Sequence, residues 1–269
     1  MKRFIVLEKK VGETPLMAIQ AWKKACPAYA DVLASYAGRL DPMASGKLLI
    51  LLGEECKRQR AYTDLDKAYE IEVLLDVGSD TGDALGVPAY AHKKTILEKK
   101  KLAAVLRRER GAYARAYPAF SSKTVSGKPL FLHALEGTLP FSEIPEHIER
   151  IYRIQSIDSY SIPSSELEAS INAFLDCVPR THEPSKRLGA DFRVDAIRAH
   201  WESLFKEMPE RNFTVLRLNV VCASGTYMRS LAGRIGTALG TRALALSIKR
   251  TKIGNYIPLG TTGFWLRTY

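Results

Sequence analysis

Long hydrophobic runs are missing: the longest uninterrupted aliphatic stretch in the 269-residue sequence is Leu48 to Leu52, against the ~20 residues that a membrane-spanning helix requires. An integral membrane protein is therefore not expected. The N-terminus offers only Phe4 to Leu7 between Lys2-Arg3 and Glu8, shorter than the ~7–15-residue apolar core of a secretory signal, and the cytoplasm is the expected location. Cysteine is sparse: Cys26, Cys56, Cys177 and Cys222 lie at least thirty residues apart with no C-x-x-C, which fits reduced thiols and neither a disulfide framework nor a zinc site. The histidines are scattered and H-E-x-x-H does not occur, so no protein metal site is expected. The phosphate-loop pattern G-x-x-x-x-G-K-S/T also fails, because Asp41 stands where its first glycine would precede Gly46-Lys47, and Leu48 follows. Nucleoside triphosphate chemistry is unsupported.

What is there is a globular composition, 46% apolar and 26% charged, with a formal charge of +11. Such an excess on a folded protein favours polyanionic partners, nucleic acid first and an anionic membrane surface second.

Along the chain, Arg3 to Lys9 reads as a strand, and Thr14-Pro15 supplies an N-cap and an N1 proline for a helix to about Cys26. From Lys67 to Gly78, Tyr69, Ile71, Val73, Leu75 and Val77 alternate with period two, predicting one strand with these residues on a single face. Thr95 to Arg110 is helix-like and strongly basic. Arg150 to Ser156 and Phe213 to Cys222 read as strands, and Thr226 to Leu239 as a helix. Between Ile162 and Arg211 the texture changes: prolines, the polar stretch Arg180 to Arg187, and amphipathic pieces at Ser165–Asp176 and Asp191–Phe205 suggest an insertion into one α/β body.

The segment least like ordinary filler is Gly38-Arg39-Leu40-Asp41-Pro42-Met43-Ala44-Ser45-Gly46-Lys47, running into Leu48 to Leu52. Pro42 pushes Asp41 out of the α region, and the flanking glycines permit tight turns, so Asp41 is expected on a loop leading into a buried strand. The alternative is an Asp-Pro turn with no chemistry.

This segment resembles motif II of the TruB family of tRNA pseudouridine synthases, G-x-L-D-P-x-A-S/T-G-x-L followed by an apolar strand and L-G-E-x-x-K, here Leu52-Gly53-Glu54-Glu55-Cys56-Lys57. The similarity continues in order. Lys67-Ala68-Tyr69 is similar to the family's K-x-Y, and Gly78 to Gly86 to its loop G-x-x-S/T-D-T-x-D-x-x-G. Tyr117 to Lys123 with Gly127 to Leu130 resembles P-P-x-F/Y-S-A-x-K-x-x-G-K/R-x-L/A. Cys222 to Ala232 resembles C-S-K-G-T-Y-I/V-R-S/T-L, and Leu246 to Thr251 the following L-x-x-L-R-R-T.

The resemblance implies a pseudouridine synthase fold of the α/β (α+β) class: a mixed, mostly antiparallel sheet flanked by helices, with a central active-site cleft. It implies isomerisation of uridine to pseudouridine in RNA, with uridine 55 of the tRNA T loop as the expected target, no cofactor, RNA rather than DNA as partner, and no membrane. By the same resemblance Asp41 is the nucleophile, attacking C1′ of the sugar or C6 of the base. Arg229 is the cation beside it, able to offer two donors to a carboxylate. Tyr69 stacks on the flipped base and is a candidate acceptor of the C5 proton, while Tyr227 and Ile248 line the uracil pocket. Periodicity alone would make Tyr69 a core residue, and Arg229 could equally be a phosphate contact.

The sequence also departs from the family. Ser35-Tyr36-Ala37-Gly38 replaces G-H-x-G, making Tyr36 a candidate aromatic substitute; Arg39 gives G-R-L-D, nearer to other pseudouridine synthase families; and Glu8 to Gly12 lacks D-K-P-x-G. A C-terminal RNA-binding (PUA-like) domain is not expected after Tyr269. The basic helix from Lys93 to Arg110 is a candidate phosphate contact or a solvated face, and Arg180, Lys186, Arg187, Arg193 and Arg198 of the insertion are candidate RNA or protein contacts. Two other readings stand beside the first: a synthase for another RNA, and a non-catalytic RNA-binding or RNA-folding protein of the same fold.

Overall fold

Ala44–Leu52 forms strand β3, and every residue from Leu48 onward is buried. A strand apolar on both faces belongs inside a sheet covered on two sides. β3 lies there, between β1 (Phe4–Lys9) and β12 (Ala243–Leu259). The structure is a computed structural model that describes residues 2–92, 94–139, 141–179, 193–208 and 210–269.

Beyond β12 the sheet continues through β4 (Asp66–Leu75), β11 (Asn212–Cys222), β10 (Glu146–Pro163) and β7 (Gly111–Ala116). β2 (Ala34–Ala37) adds to β3, and β13 (Thr262–Thr268) to β12, giving nine strands. Among the described residues, the strands of this sheet pair antiparallel except β3 with β12, where Ala44, Ser45 and Gly46 run parallel to Ile248, Lys249 and Arg250. Gly46 makes this approach possible: it sits at φ +102°, and a Cβ there would meet the Arg250 carbonyl oxygen at 2.3 Å. Two small ribbons, β5 (Val77–Ser79) with β6 (Pro88–Tyr90) and β8 (Thr124–Val125) with β9 (Lys128–Pro129), and the short helices α2 (Gln59–Thr63) and α4 (Leu130–Leu135) fill the connections.

Helices cover both faces. α1 (Pro15–Ala25) begins as expected, the Thr14 hydroxyl accepting from the Met17 N–H at 3.2 Å. With α3 (Lys99–Glu109) and α7 (Met228–Leu239) it packs against Tyr69, Ile71, Val73 and Leu75 of β4. On the other face α5 (Ser164–Asp176) and α6 (Val194–Glu207) pack against Leu74, Phe213, Val215 and Leu244, and buried Trp201 donates its indole N–H to the Ala84 carbonyl at 3.2 Å. The helices of the 162–211 segment thus fill a core layer; its stretch Arg180 to Arg187 lies outside the described residues. Arg193 and Arg198 pair with Asp80 at 2.9 Å and Asp176 at 2.6 Å.

The single-face reading of Lys67 to Gly78 needs one correction. Asp76 adopts φ +71°, the strand ends at Leu75, and Val77 joins the opposite cluster. A left-handed residue inside the alternation reverses its phase, and period-two counting does not register it.

Candidate active site

Loop 38–43 joins β2 to β3 and turns at Gly38, φ +82°. The Pro42 carbonyl accepts from the Gly12 N–H at 2.9 Å and Lys9 Nζ at 3.4 Å, while the Asp41 carbonyl accepts from the Ala44 N–H at 3.0 Å. With the backbone pinned in this way, the Asp41 side chain stays 34% exposed.

Arg229, in the first turn of α7, is almost fully buried, and its Nε donates to Asp41 Oδ2 at 2.8 Å. Its other two nitrogens go elsewhere: Nη1 donates to the Thr81 carbonyl at 2.7 Å and Nη2 to the Phe120 carbonyl at 3.1 Å. The two-donor grip on Asp41 is therefore not what forms. One donor reaches the carboxylate, and two loop carbonyls fix the rest of the planar fork, which aims that donor. A second carboxylate, Asp83 Oδ2, stands 3.6 Å from Nε and is itself buried. Burial would lower the Arg229 pKa, but Asp41 and Asp83 outweigh it and keep the guanidinium charged. Burial pushes the Asp83 carboxyl up against the opposing pull of Arg229 and of the Thr81 hydroxyl, which donates to it at 2.8 Å.

A cavity of about 900 Å3 opens beside this pair, and Tyr36, Arg39, Asp41, Tyr69, Tyr227, Arg229 and Ile248 all line it. The structure thus brings together every site residue singled out from the sequence. Tyr69 is buried on β4, its hydroxyl pushed up to about 12 by burial, so it is a neutral phenol at ordinary pH. Tyr227, just before α7, is likewise pushed up to about 12 by burial; its N–H donates to Glu149 Oε1 at 3.2 Å and its ring meets His147 edge-on at 5.7 Å. Ile248 supplies an apolar wall from β12, in register with Ile71. Tyr36 and Arg39 stand on either side of the Gly38 turn; their carbonyls accept from Gln59 Nε2 at 2.7 Å and Arg250 Nη1 at 3.2 Å.

Sequence reasoning passed over two buried cations on the same wall. Arg250 is 1% exposed and donates to the carbonyls of Lys47 at 2.7 Å, Arg39 at 3.2 Å and Gly38 at 3.4 Å, which ties the Asp41 loop to β12 from behind. Lys67 donates to the Thr63 carbonyl at 2.8 Å, and burial, with Arg250 adding, lowers its pKa to about 8. Each lies two residues along its strand from a residue already chosen, Ile248 or Tyr69, and period two puts it on the same face. A charge on an otherwise apolar strand face was the available signal.

Residues 30–173, which include Asp41 and Tyr69, match the family described as TruB family pseudouridylate synthase, N terminal domain. The chain belongs to this TruB family. Among its relatives is the tRNA pseudouridine synthase B of Chromohalobacter salexigens, 27% identical over 252 residues covering 94% of this chain and 64% of the relative. That of Azoarcus sp. is 30% identical over 252 residues, covering 94% and 65%. The TruB chain described here therefore spans just under two thirds of the length of these relatives. A Cbf5 chain in a solved Cbf5-Nop10-Gar1 complex shares the fold, with a TM-score of 0.53 at 18% identity, over 93% of this chain and 48% of that one.

Proposed function

We propose that this TruB-family chain isomerises uridine to pseudouridine in RNA, acting on uridine 55 in the tRNA T loop. The observation that carries the reading is the Asp41–Arg229 pair on the cavity wall: a partly exposed carboxylate beside a buried guanidinium that cannot lose its proton. Pseudouridine formation is an isomerisation that consumes no oxidant, reductant or water, so it makes no demand for a cofactor. It does require an ionised nucleophile in a site closed to solvent and an apolar or aromatic wall for a base taken out of its stack.

In this reading Asp41 attacks C1′ or C6, the N1–C1′ bond breaks, and the uracil turns within the cavity. The C5–C1′ bond then forms, Asp41 leaves, the C5 proton passes to solvent and N1 takes one up, so that product and substrate have the same composition. Arg229 holds the Asp41 carboxylate by its Nε hydrogen bond before attack and receives it again when it departs. Tyr69 and Ile248 bracket the base. A phenol near 12 is protonated when the base arrives, which favours stacking over proton abstraction as the work of Tyr69. Tyr227, Tyr36 and Arg39 would close the pocket around the nucleotide. The two larger clusters of the core share one sheet, which supports reading the described chain as a single catalytic domain, with 162–211 as its elaboration.

The test is tritium release from tRNA transcripts labelled at uracil C5, with wild type, Asp41→Asn and a transcript carrying cytidine at the T-loop position. Release by wild type alone, abolished by the cytidine, supports enzyme and target together. Release that survives the cytidine moves the target to another RNA position. Tight binding without release from tRNA or ribosomal RNA fragments would favour a non-catalytic RNA-binding protein.

A further inference from the structure

A second, shallower cleft of about 470 Å3 lies between the end of α3, the start of β7, the first part of β10 and the β12–β13 turn, and it shares no lining residue with the first. Arg107, Arg110 and Arg150 all enter it. Arg110 Nη2 reaches the Gly260 carbonyl at 3.5 Å, whereas the guanidinium groups of Arg107 and Arg150 meet no hydrogen-bond or ion-pair partner among the described residues. The neighbouring carboxylates are already engaged: Glu109 by Arg234 at 2.9 Å and Arg115 at 3.8 Å, Glu149 by Arg234 at 3.2 Å, and Asp66 by the Tyr152 hydroxyl at 3.0 Å. Three like charges gathered without a counter-charge repel one another, and an anion seated among them removes that cost. Guanidinium forks fit phosphate oxygens in particular.

Two further observations specify the anion. Tyr113 of β7 is 40% exposed, with its hydroxyl donating to the Arg110 carbonyl at 3.0 Å and the Arg115 guanidinium carbon 5.0 Å from its ring centre. A partly exposed aromatic ring beside the arginines of the cleft suits a nucleic acid strand, whose phosphates and bases alternate, better than a lipid surface. Moreover, the Arg150 carbonyl accepts from the Ala223 N–H at 2.9 Å and the Thr226 hydroxyl at 3.5 Å, and both of those residues line the large cavity. The cleft is therefore braced against the wall of the catalytic cavity. We infer that it is a separate phosphate-binding site for the substrate RNA, gripping the backbone outside the nucleotide that enters the large cavity. The inference rests on the RNA reading of that cavity.

The experiment compares wild type with R107A/R110A/R150A and R107K/R110K/R150K, measuring affinity for the unmodified tRNA transcript over a series of salt concentrations. Three lost contacts at ~0.7–0.9 each should make the plot of log affinity against log salt shallower by about 2 to 3, and weaken binding about tenfold or more at moderate salt. The lysine variant should keep most of the slope. Arg107→Ala alone, exposed on α3, should remove slightly under one unit of slope, and it carries the test if the triple variant does not fold. Unchanged slope and affinity, with wild type still binding and releasing tritium, would overturn this site and leave the catalytic reading intact. A wild type that neither binds nor modifies any RNA would overturn the catalytic reading first. Arginine-dependent sedimentation with phosphatidylserine vesicles, with RNA binding unaltered, would overturn the RNA assignment in favour of a membrane.

Discussion

Arg229 donates one hydrogen bond to Asp41, at 2.8 Å across 188 positions of sequence, and turns its other two nitrogens to the carbonyls of Thr81 and Phe120. The consequence is separable in two variants. Arg229→Lys keeps a charge near Asp41 but cannot hold both carbonyls, so the aim of the donor is lost. Tritium release should fall by about 10²–10³-fold, the scale of removing one preorganised donor, with RNA affinity little changed. Arg229→Gln leaves Asp83 buried beside no cation and should cost about 3–5 kcal/mol of stability as well. Urea unfolding and single-turnover assays on both variants check this. If the lysine variant turned over like wild type, the aimed donor would have no role.

The parallel contact between β3 and β12 depends on an absent side chain. In Gly46→Ala, the new Cβ would meet the Arg250 carbonyl at 2.3 Å from a left-handed backbone position. Both effects oppose the native pairing, and the cost should be about 3 kcal/mol or more. Denaturant unfolding measures it directly. A change under about 0.5 kcal/mol would mean that the strands can separate here without loss.

Arg250→Met tests whether the loop that presents Asp41 is held from behind. The variant removes donors from three carbonyls at a site 1% exposed, at about 1–3 kcal/mol for each group left unsatisfied and without water. Because Arg39 and Gly38 belong to the Asp41 loop, turnover of bound RNA should fall more than affinity does. Equal losses in both would point to general unfolding rather than to loop position.

The sheet was legible because its strands are long and patterned: β3 is uniformly apolar from Leu48 to Leu52, β4 alternates up to Leu75, and α1 announces itself with Thr14-Pro15. Asp41 was legible for a different reason, since glycine and Asp-Pro leave few backbone options and the motif series fixed the rest. What the sequence did not disclose is tertiary. Nothing near Arg229 says that Thr81 and Phe120 will occupy two of its nitrogens, nor does anything near Arg250 say that it will reach back to Gly38. Those bonds join loops that are close only after the sheet has formed. Asp76 was missed because a single left-handed residue leaves no trace in hydropathy, although the buried carboxylate it positions accepts from Arg211 at 2.5 Å and from Thr241 at 2.8 Å.

The buried ionisable groups set an unusual alkaline dependence of stability. Lys9 and Lys67 are lowered from 10.5 to about 8 by burial. Between those limits the unfolded chain binds more protons than the folded one, so stability rises with pH, by up to about 1.4 kcal/mol per pH unit for each lysine. Acids behave oppositely. Cys222 is raised from 9.0 to about 12, and Tyr69 and Tyr227 from 10.0 to about 12, all by burial first. Above their unfolded values the folded chain retains protons that the unfolded chain has released, and stability falls. The lysines act from pH ~8, the thiol from ~9 and the phenols from ~10, so stability should climb past pH ~8, crest near pH ~9–10 and then drop. Urea unfolding in half-unit steps of pH would trace the curve. In Lys67→Met the climb should be roughly halved and stability at neutral pH should increase, because the variant no longer places a charge at a site 4% exposed. A flat profile between pH ~8 and ~9 would mean that both lysines keep their ordinary proton affinity in the folded chain, with water reaching them behind the Asp41 loop.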